Sequence, residues 1–103
     1  MGQIVLMNDT LTPDEIVEAL KGLSGWKHEN DALVKEFTFN SFREAMSFMV
    51  RAAFEAESMN HHPEWTNIYD TVSVRLSTHH VGNKITTSDV QLAQRFEKIS
   101  WVK

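Results

Sequence analysis

Apolar and polar residues follow two different periods along this chain, and the switches between them mark out its elements. Ile16, Val17, Leu20 and Leu23 recur at helical spacing behind Thr12-Pro13-Asp14-Glu15. Thr12 can cap this helix, Pro13 suits its first position, and Glu15 completes a capping box. Gly25 is expected to end it. Trp26 to Thr38 reads as a hairpin. Trp26-Lys27-His28 is the short strand, Glu29-Asn30-Asp31 the turn, and Leu33, Phe37 and Phe39 the core-facing residues of the second strand. His28 is expected to be a solvated strand residue.

A second helix opens at Asn40-Ser41-Phe42-Arg43-Glu44, with Ser41 and Glu44 as a capping box, and runs to about Met59. Its polar stripe covers about 120°, while Ala45, Met46, Phe48, Met49, Val50, Ala52, Ala53, Ala56 and Met59 cover roughly 200°. That arc is wider than a helix lying on one sheet needs. Either the helix is central and deeply buried, or part of the arc packs against another subunit. Glu57 interrupts the arc one turn before His61; it is either a wet helix end or the partner of a functional group.

Pro63 stops any helix. Trp65 to Tyr69 is a short strand, Asp70-Thr71 the turn, and Val72, Val74, Leu76 and Thr78 alternate with Ser73, Arg75, Ser77 and His79 as a half-buried strand. Strict alternation puts His79 on the open side, unless the strand has already ended. Val81 to Lys84 is a loop in which Asn83 tolerates positive φ. A last helix starts at Thr86-Thr87-Ser88-Asp89 and buries Val90, Leu92, Ala93, Phe96 and Ile99. Asp89 reads as a helix-dipole or capping residue. Helix, hairpin, helix, hairpin, helix implies an α+β fold, with antiparallel strands and the helices on one face.

At 103 residues the chain is expected to form a single domain over 1–103, with residues 1–11 a loose lead-in. A net charge of −4 with scattered Lys and Arg argues against a nucleic-acid surface. The absence of cysteine removes disulfides and thiolate metal sites. Neither a targeting segment nor a membrane span is visible, so a soluble cytoplasmic protein is the expectation.

Chemistry concentrates in Asn60-His61-His62-Pro63-Glu64-Trp65 and in a second pair, His79-His80. Imidazoles titrate near neutrality, so two groups brought together from element ends can form an acid–base site. Adjacent histidine pairs diverge in extended structure and include no helical ligand pair, which disfavours zinc. A nucleophile elbow and a glycine-rich phosphate loop are both missing.

The set Glu57-Ser58-Met59-Asn60-His61-His62-Pro63-Glu64-Trp65, then Tyr69, Leu76-Ser77-Thr78-His79 and Asp89 resembles the pterin-4a-carbinolamine dehydratases. In that family a charged residue precedes His-His-Pro, an aromatic follows, a histidine closes a strand, and an aspartate opens the last helix. The resemblance spans nearly the whole chain. It implies three helices packed on one face of a four-stranded antiparallel sheet, in the order helix-strand-strand-helix-strand-strand-helix. The implied reaction is dehydration of a 4a-hydroxytetrahydropterin to the quinonoid dihydropterin, in support of aromatic amino-acid hydroxylases. His61, His62 and His79 are the implied catalytic residues, with His61 and His79 the primary pair. The resemblance also implies that Asn60, Ser77, Thr78 and His80 border the pterin together with those histidines, and Glu57 is expected to orient one imidazole. Neither metal nor organic cofactor is implied.

The implied assembly is a homotetramer or dimer through the second helix. A transcription-factor partner, as in some animal relatives, is the alternative role. It would also allow a nuclear location. Three positions depart from the family pattern. Asn60 stands where aspartate is frequent, His80 where an acid is frequent, and Gly82-Asn83 replaces a common Gly-Gly.

Overall fold

The computed structural model describes residues 9–100. Its elements are α1 (Pro13–Leu20), β1 (Lys27–Glu29), β2 (Ala32–Thr38), α2 (Phe42–Ser58), β3 (Glu64–Ile68), β4 (Thr71–Leu76) and α3 (Thr87–Ser100), with a 3₁₀ turn at His79–Val81. The sheet is antiparallel throughout, in the order β1-β2-β4-β3. This is the α+β architecture of three helices and four strands expected from the sequence.

Local chemistry sets the joints. Thr12 and Glu15 form the reciprocal capping box of α1. That helix stops at Leu20, five residues before the expected Gly25. Tight turns, Leu23 N–H to the Leu20 carbonyl and Trp26 N–H to that of Leu23, carry the chain onward instead. Gly25, at φ +83°, turns it into β1. A side chain there would also meet Lys35. Val17, expected on the buried face, is exposed, and Trp26 belongs to the core rather than to β1.

Asn30 and Asp31 both take positive φ, which gives a two-residue hairpin turn matched to the sheet twist. The second hairpin turns at Tyr69-Asp70 rather than Asp70-Thr71, since Ile68 pairs with Thr71. Asn67 donates to the Tyr69 and Thr71 carbonyls across that turn.

The cap of α2 is displaced by one residue. Ser41 Oγ accepts the Glu44 N–H, but the Glu44 carboxylate accepts from Asn40 rather than from Ser41. Ala45, Phe48, Ala52 and Ala56 bury one face of α2. Phe48 lies at the core centre, 4.7 Å from the Phe37 ring and 5.1 Å from Phe39. The small alanines let α3 and the sheet approach closely. Glu97 accepts the Trp26 indole N–H at 2.8 Å and pairs with Lys35, tying α3 to the sheet.

The 200° arc on α2 therefore divides in two. Phe48 belongs to the chain's own core, whereas Phe42, Val50 and Phe54 are exposed, with Phe54 at 71%. Phe42 and Phe54 lie outside the nine residues of that arc and extend its exposed part. The lead-in also needs correction at its end. Thr10 bridges Thr86, and Leu11 N–H donates to the Ile85 carbonyl at 2.9 Å. Residues 1–8 lie outside the described residues. Among the described residues no helix is long and apolar enough to cross a membrane.

Candidate active site

The first histidine pair is placed by the way α2 ends. Asn60 takes φ +49°, a conformation asparagine tolerates better than most residues. Asn60 N–H then reaches the Glu57 carbonyl at 3.0 Å, and His61 N–H the Ala56 carbonyl at 3.0 Å. These two bonds form a Schellman motif, and they fix where His61 leaves the helix. Pro63 follows and the chain enters β3.

The second pair is placed by the end of β4, which stops at Leu76. His79 does not close a strand. It opens the 3₁₀ turn, because Thr78 N–H turns aside to bond the Lys84 carbonyl at 2.8 Å. Asn83 N–H returns to the Thr78 carbonyl at 3.1 Å, and Gly82 and Asn83 both take positive φ. The loop is thereby closed on itself, with both histidines on its outer side and exposed to water.

The two corners meet around a cavity of about 460 Å³. Asn60, His61, His62, Ser77, Thr78, His79 and His80, all expected at the site, line it together with Met59 and Ser88. Glu57 does not line it, but its carboxylate lies 2.8 Å from His62 Nε2, in an exposed pair. Trp65 stacks on Phe96 in the core, with ring centroids 6.4 Å apart. His28 sits on exposed β1. Tyr69 stands exposed at the far turn and does not line this cavity.

Sequence reasoning missed what lies behind His61. Asp89 is fully buried, and its Oδ1 is 2.6 Å from His61 Nε2. Its Oδ2 accepts from Thr78 Oγ1 and from Thr86 N–H, each at 2.8 Å. The capping expectation for Asp89 therefore holds but is incomplete, since one carboxylate caps α3 and grips the ring. Thr78, expected to border the substrate, lines the cavity but is buried, and its hydroxyl donates a hydrogen bond to Asp89. A burial signal at Asp89 would have exposed this role, because a buried carboxylate needs partners.

A second hollow of about 450 Å³ lies on the sheet's open side, where Glu29, Glu36, Glu64, Lys27 and Arg75 contribute to its lining. It contains no imidazole. Among the described residues no three His, Asp or Glu side chains are grouped so that they could hold a metal ion.

An α+β chain that brings four imidazoles to one cavity is a candidate acid–base catalyst. The family follows from comparison. Residues 9–99 match the family model described as Pterin 4 alpha carbinolamine dehydratase. The chain belongs to that family of hydro-lyases. It is 64% identical over 96 residues to a candidate pterin-4-alpha-carbinolamine dehydratase of Opitutus terrae, covering 93% of this chain and 99% of that one. A protein of the same description from Prochlorococcus marinus is 46% identical, covering 91% and 97%. The crystal structure of a transcriptional coactivator/pterin dehydratase from Brucella melitensis superposes with a TM-score of 0.86 at 39% identity, covering 89% of this chain and 99% of that one.

Proposed function

We propose that this chain dehydrates a 4a-hydroxytetrahydropterin to the quinonoid dihydropterin, so that tetrahydropterin can be regenerated for aromatic amino-acid hydroxylases. The observation that carries the reading is the convergence of His61, His62 and His79 on one cavity. Elimination needs a proton delivered to the departing hydroxyl and one removed from the pterin nitrogen. The electron pair left on that nitrogen forms the double bond to the carbon that loses oxygen. Imidazoles perform both transfers near neutral pH. His61 and His79 act as the primary pair, from opposite corners of the cavity. His62, more exposed and paired with Glu57, positions substrate. Asn60, Ser77 and His80 border the ring system.

The chain works as a homo-oligomer through α2. Phe42, Val50 and Phe54, eight and four residues apart, lie along one ridge and stand exposed in the single chain. The cytoplasm is the proposed location. A second role, as binding partner of a transcription factor, is favoured by the same exposed ridge and by the description of the Brucella relative.

A dehydration assay on chemically generated carbinolamine tests the main reading. Acceleration by the wild-type chain is expected, with unchanged activity after chelation. Failure to accelerate dehydration would overturn it.

A further inference from the structure

We infer that Asp89 and Thr78 are positioning residues that hold the neutral His61 ring as its Nε2–H tautomer, so that Nδ1 is the nitrogen offered to the substrate. Its catalytic meaning rests on the function proposed above; the tautomer itself is a property of the free protein.

A carboxylate accepts hydrogen bonds and cannot donate them. At 2.6 Å from Asp89 Oδ1, His61 Nε2 must therefore carry the proton. The carboxylate is not free to turn away. Its other oxygen is bound twice, by Thr78 Oγ1 and by Thr86 N–H, both at 2.8 Å. Thr78 has a single hydroxyl proton, and it goes to Asp89. The 2.6 Å contact between Thr78 Oγ1 and Thr86 Oγ1 is therefore a bond in which Thr86 donates. Thr86 Oγ1 in turn accepts the Ser88 N–H at 3.2 Å. Every direction in this chain is fixed, and all of them lead to Asp89. Thr78, Thr86 and Asp89 are each 1% exposed or less, so bulk water does not compete with these bonds.

Nδ1 of His61 has no hydrogen-bond partner among the described residues. No buried side-chain nitrogen or oxygen there is left unpartnered, so Nδ1 must reach open space. His61 lines the cavity while its Nε2 is turned to Asp89, which does not, so Nδ1 is the ring nitrogen left for the cavity. His79 has the opposite arrangement. Its Nδ1 lies 3.3 Å from the Asn83 side-chain oxygen, an acceptor, which leaves Nε2 as the presenting atom. The two imidazoles of the primary pair thus offer different nitrogens. His62 shares the Nε2 contact of His61, but with exposed Glu57, where water competes.

The test is histidine nitrogen NMR on the isotope-labelled full chain, at a pH where the ring is neutral, with His61 assigned by its loss in His61→Ala. The expected spectrum separates its nitrogens into a protonated Nε2 and an unprotonated Nδ1. Averaged shifts, or a protonated Nδ1, would overturn the inference. In Asp89→Asn the amide oxygen stays with Thr78 and Thr86 and its NH₂ faces the ring, so the tautomer should reverse. Turnover should then fall about 10²-fold or more, since the wrong imidazole tautomer can cost up to about 10⁴-fold. Thr78→Val covers the case in which that variant fails to fold. It should lower kcat about 10-fold with KM held, as expected of a group acting through Asp89. A raised KM with kcat held would mean that Thr78 touches substrate, and would overturn its role. A locked tautomer in a chain with no dehydratase activity would leave this inference standing and remove the proposed function.

Discussion

Phe54→Asp tests whether the α2 ridge is an interface. Phe54 is 71% exposed in the single chain, and its neighbours on the ridge, Val50 and Phe42, are 56% and 49% exposed. Fully burying a phenylalanine is worth about 1.5–3 kcal/mol. Covering the exposed part of Phe54 therefore contributes about 1–2 kcal/mol. A two-fold interface counts each residue twice, which makes about 2–4 kcal/mol per pair of chains. Losing that weakens association by about 30- to 10³-fold, and the buried carboxylate adds to the effect. Phe48 would be the wrong choice, because it is fully buried in its own chain and a charge there would unfold it. Sedimentation velocity over a concentration series reads the change. An oligomer for wild type and smaller species for Phe54→Asp are expected, with the monomer's helical signal kept. A wild-type chain that stays monomeric at micromolar concentration, or a variant that assembles equally well, would refute the reasoning.

Glu57→Gln removes the charge beside His62 but not the shape; because the pair is exposed, thermal stability should change by less than about 1 kcal/mol and turnover by less than that of any His61 variant. A kinetic loss as large as that of His61→Ala would place Glu57 at the centre of the chemistry instead. Asp31 is held below its ordinary 3.8, first by the hydrogen bond from Lys84 and then by that residue's charge. A depressed carboxylate stabilises the fold above its ordinary value and loses that contribution as pH falls through the folded one. Urea melts should therefore show wild type ahead of Asp31→Asn at pH about 7, with the gap closing well below pH about 4; a gap independent of pH would contradict the pairing.

Short-range chemistry was readable in the sequence. The caps of Thr12 and Ser41, the Asn30-Asp31 turn, the alternation of Val72, Val74 and Leu76, and Pro63 after the histidine pair all act through neighbours a few residues away. What stayed hidden depends on distant partners. Asp89 meets His61 across 28 residues, and nothing local distinguishes such an aspartate from an ordinary capping acid. By alternation Thr78 reads as the last inward residue of a strand, but its amide bonds Lys84 and its hydroxyl Asp89 instead. His79 consequently sits in a 3₁₀ turn that alternation could not place. Glycine so often stops a helix that Gly25 reads as one in the sequence, whereas in the fold it turns the chain beside Lys35. The division of the α2 arc needed the sheet to be in place before buried and exposed apolar residues could be told apart.

The central claim is that the imidazoles on the 460 Å³ cavity perform the dehydration. The most direct measurement is the rate of carbinolamine dehydration by His61→Ala, His79→Ala and the double variant, each confirmed to be folded. Each single variant should lose about 10²-fold or more, and the double variant should approach the uncatalysed rate. Full activity in the double variant would contradict the account.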